Sequence, residues 1–413
     1  MDRVAARKVR MATMLVQSTV SLAIILLMNS AAYGGKLNAE DLKKKREGWF
    51  MTGLPLLNYT TDAGTGYGLK AFLFNNGTKT QTYFASSPYF VRLSGQFFQT
   101  TRGQAYHAIQ ADFPFLNGSK WRLRGEMVYG AVLNANYYGI GAKAADAGLR
   151  DAKGKSYPDT ASYQSFLDSG TDDASLLKYN AYQRQRYYTR WTASRDVNDW
   201  FQIILGMEYS HSALRDWRGE EFVRDDKDYV SADTRFTRDK SQLIGRNGGW
   251  LNMLILGFKL DWRDFEPNPK EGVLGEYFLE LSGKALGSDF KYTKQSASIR
   301  GYYTFFNRLT VAGRLAMSYT SENAPFYEMT LITFFSGRDT VLGGNRSLRG
   351  FPEERFIGRA VTLAQVEARF FVGDTTWGTQ RFGLMPVAFV DTGNVYNEFN
   401  DIFSAPRFSE YKV

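Results

Sequence analysis

The chain has 413 residues and no cysteine. Disulfides, thiolate metal sites, cysteine nucleophiles and the cysteine-linked lipid of a lipoprotein are therefore excluded. Histidine is almost as scarce, with only His107 and His211. Two isolated imidazoles do not make a histidine-based catalytic or metal centre, and each reads as an ordinary strand residue. Gly-x-Ser-x-Gly, His-Glu-x-x-His and phosphate-binding glycine loops are missing as well. With no convincing nucleophile–base pair, neither an enzyme activity nor a cofactor nor a metal is expected. Asp168, Asp172 and Asp173 are calcium-ligand types, but their spacing lacks the EF-hand pattern and a solvated loop is the plainer reading. Past the N-terminus no segment offers the ~18 unbroken apolar residues of a spanning helix.

What is abundant is aromatic. There are 25 Tyr and 31 Phe, and the aromatic share is 15%, yet mean hydropathy is negative. A chain so aromatic and so polar fits a transmembrane barrel, in which only alternate residues face lipid. The formal net charge is +9. Arginines come singly, at alternate positions of strand-like runs, so no nucleic acid is expected as partner. A positive surface suits anionic headgroups instead, those of outer-membrane lipid and lipopolysaccharide.

Residues 1–34 read as a signal peptide. Arg3, Arg7, Lys8 and Arg10 form a positive start, an apolar stretch is densest over 20–28, and Ala32 and Gly34 suit small-x-small cleavage. The competing reading is an uncleaved inner-membrane anchor. Residues 35–48, including Lys43-Lys44-Lys45-Arg46-Glu47, read as a short periplasmic segment with no soluble domain before Trp49. Residues 49–413 then form one all-β unit, an antiparallel membrane barrel.

From Trp49 onward the period is two. Trp121, Leu123, Gly125, Met127, Tyr129 and Ala131 share one face, and Arg122, Arg124 and Glu126 the other. Leu309, Val311, Leu315, Met317 and Tyr319 alternate in the same way with Thr310, Arg314, Ser318 and Thr320. A soluble sandwich would turn the polar face to water; a membrane barrel turns it inward. The signal peptide and the loop lengths favour the barrel. The pattern predicts about thirteen strands of ~9–14 residues. They fall near 49–60, 66–74, 86–99, 104–114, 121–132, 181–194, 199–212, 248–262, 273–284, 291–304, 307–320, 359–372 and 381–392. With a periplasmic N-terminus, the short turns at 114–118, 197–199, 267–269 and 306–308 fall inside. The long connections 133–180, 213–247 and 321–358 fall outside. Trp121, Tyr188, Trp191 and Trp250 suit interfacial girdles.

Residues 342–351, Leu-Gly-Gly-Asn-Arg-Ser-Leu-Arg-Gly-Phe, resemble the barrel signature of the bacterial surface antigen, or outer-membrane insertase, superfamily, which includes the BamA and TamA barrels. Asp261–Gly272, with Asp264, Asn268, Pro269 and Gly272, is similar to that family's periplasmic turn. Glu367 matches its strand glutamate, and Asp391 in Phe389-Val-Asp-Thr-Gly-Asn-Val-Tyr396 its wall aspartate. The resemblance implies that the long loop before the twelfth strand folds into the lumen. There Arg349, within Arg349-Gly350-Phe351, would pair with Glu367 and Asp391. Arginine's planar fork suits two carboxylates, and Gly350 permits a tight turn beside the wall.

Two departures accompany the resemblance. Family members that assemble or secrete proteins carry polypeptide-transport-associated (POTRA) domains, so the expectation is the barrel-only branch. Such barrels close with about sixteen strands, so the chain reads as incomplete at its C-terminus. The implied function is outer-membrane biogenesis, or translocation of a polypeptide or lipid client, after insertion by the barrel assembly machinery. The alternative is a passive pore or surface antigen, with Arg122, Arg124, Arg184, Arg186 and Arg190 lining an anion-favouring lumen.

Overall fold

The computed structural model describes residues 42–43, 45–60, 64–169, 172–224, 227–266, 268–344, 346–377 and 380–404. The expected signal peptide lies outside the described residues. One antiparallel sheet of 13 strands dominates. In chain order its strands are β1 (Trp49–Thr60), β2 (Gly64–Asn75), β3 (Val91–Thr100), β4 (Ala105–Phe113), β5 (Trp121–Asn136), β6 (Ala181–Asp196) and β7 (Phe201–Arg215). There follow β8 (Gly248–Asp261), β9 (Gly272–Ser282), β10 (Tyr292–Phe305), β11 (Leu309–Thr320), β12 (Ala360–Phe370) and β13 (Val387–Tyr396). Each pairs with its neighbours in sequence, as a meander requires. No described helix is long and apolar enough to cross a membrane.

β7 shows why such a sheet does not suit water. Ile203, Leu205, Met207 and Tyr209 are exposed, while Glu208, Ser210 and Ser212, on the alternate positions, are buried. Leaving each of those large side chains in water forgoes about 1.5–3 kcal/mol of burial. The sheet also curls. Arg190 on β6 reaches Glu280 on β9 at 3.6 Å, although β7 and β8 lie between them in the ladder.

The strand pattern departs from expectation at several places. β3 begins at Val91, because 83–86 turn and Pro88 interrupts the approach; Lys45 Nζ donates to the Phe84 and Ser87 carbonyls, each at 2.6 Å. The last strand is Val387–Tyr396 rather than 381–392. Pro386 has no N–H to continue the ladder, and the chain before it forms a separate hairpin, Gly373–Trp377 with Gln380–Leu384. The connections 76–90 and 371–386 are therefore long ones at the short-turn end. Tyr188 lies on the charged face, beneath the Arg186 guanidinium at 5.1 Å, not in an outward girdle; Trp121, Trp191 and Trp250 do face out.

The interior was expected to be polar, yet its loop-side half is an apolar core. Leu251, Met253 and Ile255 of β8 join Phe278, Tyr182, Tyr137, Phe236, Phe326 and Tyr327. On the wall side the cause lies in 250–256, Trp-Leu-Asn-Met-Leu-Ile-Leu, a run apolar enough on both sides to need cover on both faces. Segments 137–140, 236–243 and 324–329 supply that cover.

Candidate functional site

The connection between β11 and β12 builds the site. Gly343 takes a φ of +110°, and a Cβ there would sit 2.0 Å from the Pro352 carbonyl oxygen. The chain therefore doubles back; Gly344 N–H donates to the Phe351 carbonyl at 3.0 Å, and Gly350 has a φ of +94°. Leu342 and Leu348 are buried with Val361, Leu363 and Val395 of the wall, and Phe351 packs against them.

This anchored turn presents Arg349 to the inner faces of β12 and β13. Its Nε donates to Asp391 Oδ2 at 2.6 Å and its Nη2 to Asp391 Oδ1 at 2.6 Å. Its backbone N–H adds a 3.0 Å bond to the same carboxylate. Nη1 donates to Glu367 Oε1 at 2.7 Å, and the guanidinium lies 3.6 Å from the Phe389 ring centre. Hydrogen bonds to Asp391 lead in holding Arg349 above its ordinary value. Glu367 is shared with Arg369 at 2.6 Å, and Gln365 ties Asp391 to the Ser347 carbonyl.

A second device was not anticipated. Within the same connection, Leu331–Phe334 and Gly337–Thr340 form a hairpin whose tip crosses the interior. The Phe335 N–H donates to Glu276 at 2.8 Å, and its carbonyl accepts from Arg124 at 2.6 Å. Arg124 and Lys259 each lie 4.1 Å from its ring centre. Arg338 bridges Glu328, Glu208 and Glu280. Arg186 joins Glu208 and Glu328, and Arg190 joins Glu208 and Glu280. A cavity of about 300 Å³ remains beside the tip, lined by Arg92, Gln110, Glu126, Arg190 and Ser336.

From the opposite end, the 262–271 turn sends Glu266 inward to Arg122 at 2.9 Å and Arg124 at 3.1 Å. Both arginines also pair with Asp112, which is wholly buried. Burial alone would raise Glu266; the Arg122 charge, then those of Lys259 and Arg124, hold it well below the usual carboxylate range. Asp264 closes the turn by accepting from Lys270 and Glu271 N–H. Gly272 has a φ of +104°, and a Cβ would meet the Trp262 carbonyl oxygen at 2.1 Å. Pro269 is buried, whereas Asn268 is exposed and has no described bond.

The structure thus brings Arg349, Glu367 and Asp391 together, with Gly350 and Phe351 in the supporting turn. Sequence reasoning missed Glu266, Asp112, Glu328 and Arg338. Asp112 follows from strand parity; Glu328 and Arg338 sit in a loop where no period marks a face. Asp168, Asp172 and Asp173 are engaged by Arg224, Lys227 and Lys153, so basic side chains occupy their charge. Among the described residues no group of carboxylates or histidines is placed to hold a metal.

Residues 32–90 match a domain of unknown function (DUF5982). No curated protein matches the chain. Among solved structures, BamA from Haemophilus ducreyi, lacking POTRA domains 1–3, is 17% identical with a TM-score of 0.45. That likeness covers 87% of this chain and 60% of that one. CdiB from Escherichia coli is 10% identical with a TM-score of 0.48, covering 87% and 54%. The chain therefore spans less than two thirds of the length of either. Residues 133–410, most of the chain and all of the Arg349 site, match the Omp85 superfamily domain, and the chain belongs to that superfamily.

Proposed function

We propose that the chain forms the wall of an outer-membrane β-barrel that serves outer-membrane biogenesis, handing a polypeptide or lipid client across or into the bilayer. One observation carries the reading: the interior is filled by the chain's own connections. The apolar core occupies the loop-side half, and the hairpin tip with Glu266 occupies the other. Among the described residues these connections stand across the axial path, which favours passage along the wall. The Arg349 clamp holds the filling connection against β12 and β13, so its role is structural. The outward apolar rows face lipid, and residues 1–34 direct export.

The passive anion pore finds no support in the same geometry. Arg122, Arg124, Arg184, Arg186 and Arg190 are each ion-paired with buried or half-buried carboxylates, so none is a bare charge along a water column. Planar-bilayer recording tests the reading. Rare, noisy openings are expected; steady anion-selective conductance would overturn it.

A further inference from the structure

A pair of arginines at the loop end of the sheet has no use in the clamp. Segment 136–141 runs alongside 353–357: Asn136 donates to the Glu353 carbonyl at 2.8 Å, and Gly141 N–H to the Ile357 carbonyl at 2.8 Å. Between these ties the Arg355 guanidinium lies over two rings, 4.8 Å from the centre of Tyr138 and 4.6 Å from that of Phe356. It is only 4% exposed. The next residue, Gly139, carries Arg235 above it; a Cβ at Gly139 would stand 2.6 Å from Arg235 Nη2. Two guanidinium groups thus flank one step of the backbone.

Neither has a carboxylate partner among the described residues. Arg190, Arg224 and Arg263, the other arginines buried to this degree outside the hairpin, are paired with Glu208, Asp168 and Asp261. The acids nearest in sequence are committed elsewhere. Glu354 holds Arg184 at 2.6 Å, Glu353 accepts from Thr340, Asp233 pairs with Arg218 at 3.2 Å, and Asp239 accepts from the Tyr137 hydroxyl. None of the Arg355 nitrogens is a sealed, unpartnered atom, so the small surface it keeps includes its charged end. Burial pushes Arg355 down to about 10, with the Arg235 charge acting in the same direction. A buried guanidinium beside a second one is costly unless an anion joins them.

We propose that Arg235 and Arg355 form a binding site for a phosphoryl group. Two fixed positive charges match a dianion, and two planar forks match phosphate oxygens. The rings of Tyr138 and Phe356, whose centres lie 4.8 and 4.6 Å from its guanidinium, hold Arg355 in place before the ligand arrives. The phosphoryl group can come from soluble phosphate or from a lipid headgroup. Only the lipid source rests on the membrane orientation proposed above.

The test uses the full chain folded in detergent, with inorganic phosphate as probe and chloride fixing ionic strength. Titration calorimetry on the parent, Arg355→Gln and Arg235→Gln chains should show phosphate binding that weakens about tenfold or more in each variant. No binding to the parent, or equal binding in all three, overturns the site. Arg235 is only half-buried, so Arg235→Gln decides the matter should Arg355→Gln not fold. A second arm offers a bisphosphorylated glycolipid and its dephosphorylated counterpart. Competition by the phosphorylated form alone assigns a headgroup; phosphate binding without competition assigns a soluble ligand. Loss of the axial-closure reading in bilayer recordings would leave these binding results standing.

Discussion

Arg124 and Phe335 meet in the interior although 211 residues separate them: the guanidinium lies 4.1 Å from the ring centre and donates to the Phe335 carbonyl. Arg124 belongs to the wall and Phe335 to the tip of a connection entering from the far end. Their contact fixes the hairpin across the interior, where the proposed function needs the path closed. Deleting 331–340 should therefore give a chain that still folds but conducts steadily in planar bilayers, where the parent is mostly closed. Equal conductance of the two would show that the hairpin does not block the path.

Replacing Arg349 by alanine leaves the buried Asp391 carboxylate with Gln365 as its remaining partner, while Glu367 keeps Arg369. The expected loss is about 2–4 kcal/mol, read as a lower temperature for the shift between folded and unfolded bands on gels. Unchanged heat-modifiability would contradict the clamp.

The two acids of the clamp should not be equivalent. Asp391 receives three bonds from Arg349 and one from Gln365, while Glu367 receives one and shares itself with Arg369. Asp391→Ala should therefore lower the unfolding temperature more than Glu367→Ala. The reverse order would mean that the Arg369 contact dominates.

Acid should loosen the interior. Burial opposes ionisation of Glu266 and Glu328, but the facing charges, Arg122 for Glu266 and Arg338 for Glu328, hold both carboxylates below their ordinary range. A depressed folded-state value contributes stability that is complete above the unfolded value of about 4.3 and is lost as pH falls toward the folded one. Denaturant midpoints should be flat from neutrality to about pH 5 and should fall below about pH 4. A flat profile throughout would mean that these acids are not anchors.

Gly272→Ala places a methyl group against the Trp262 carbonyl at a positive φ. Folded yield should fall sharply, with a cost above about 2 kcal/mol, whereas Asn268→Ala, at an exposed position without described bonds, should change little. Similar yields for both would remove Gly272 from the turn's requirements.

The strand ladder was legible from a local rule, the clamp only through the family resemblance. Alternation at 121–131 assigns Arg122 and Arg124 to one face, whereas the pairing of Arg349 with Glu367 and Asp391 is what the resemblance of 342–351 implies. The filling of the interior was not legible, for reasons specific to its parts. Phe236, Phe326 and Tyr327 lie in connections, where no period says which way a side chain points. Glu266 looks like any turn acid until the sheet curls and brings Arg122 to it. The last strand was misplaced because 380–384 has strand character of its own, and only the missing N–H of Pro386 separates it from β13.

The apolar core within the curl also makes three connections depend on one another. Tyr137, Phe236 and Phe326 come from three connections far apart in the chain, and their rings meet only at 5.6–5.8 Å from one another. Each of these connections docks on the wall and on the other two, so removing any one of them uncovers apolar surface on the inner side of a sheet whose outer side is already apolar.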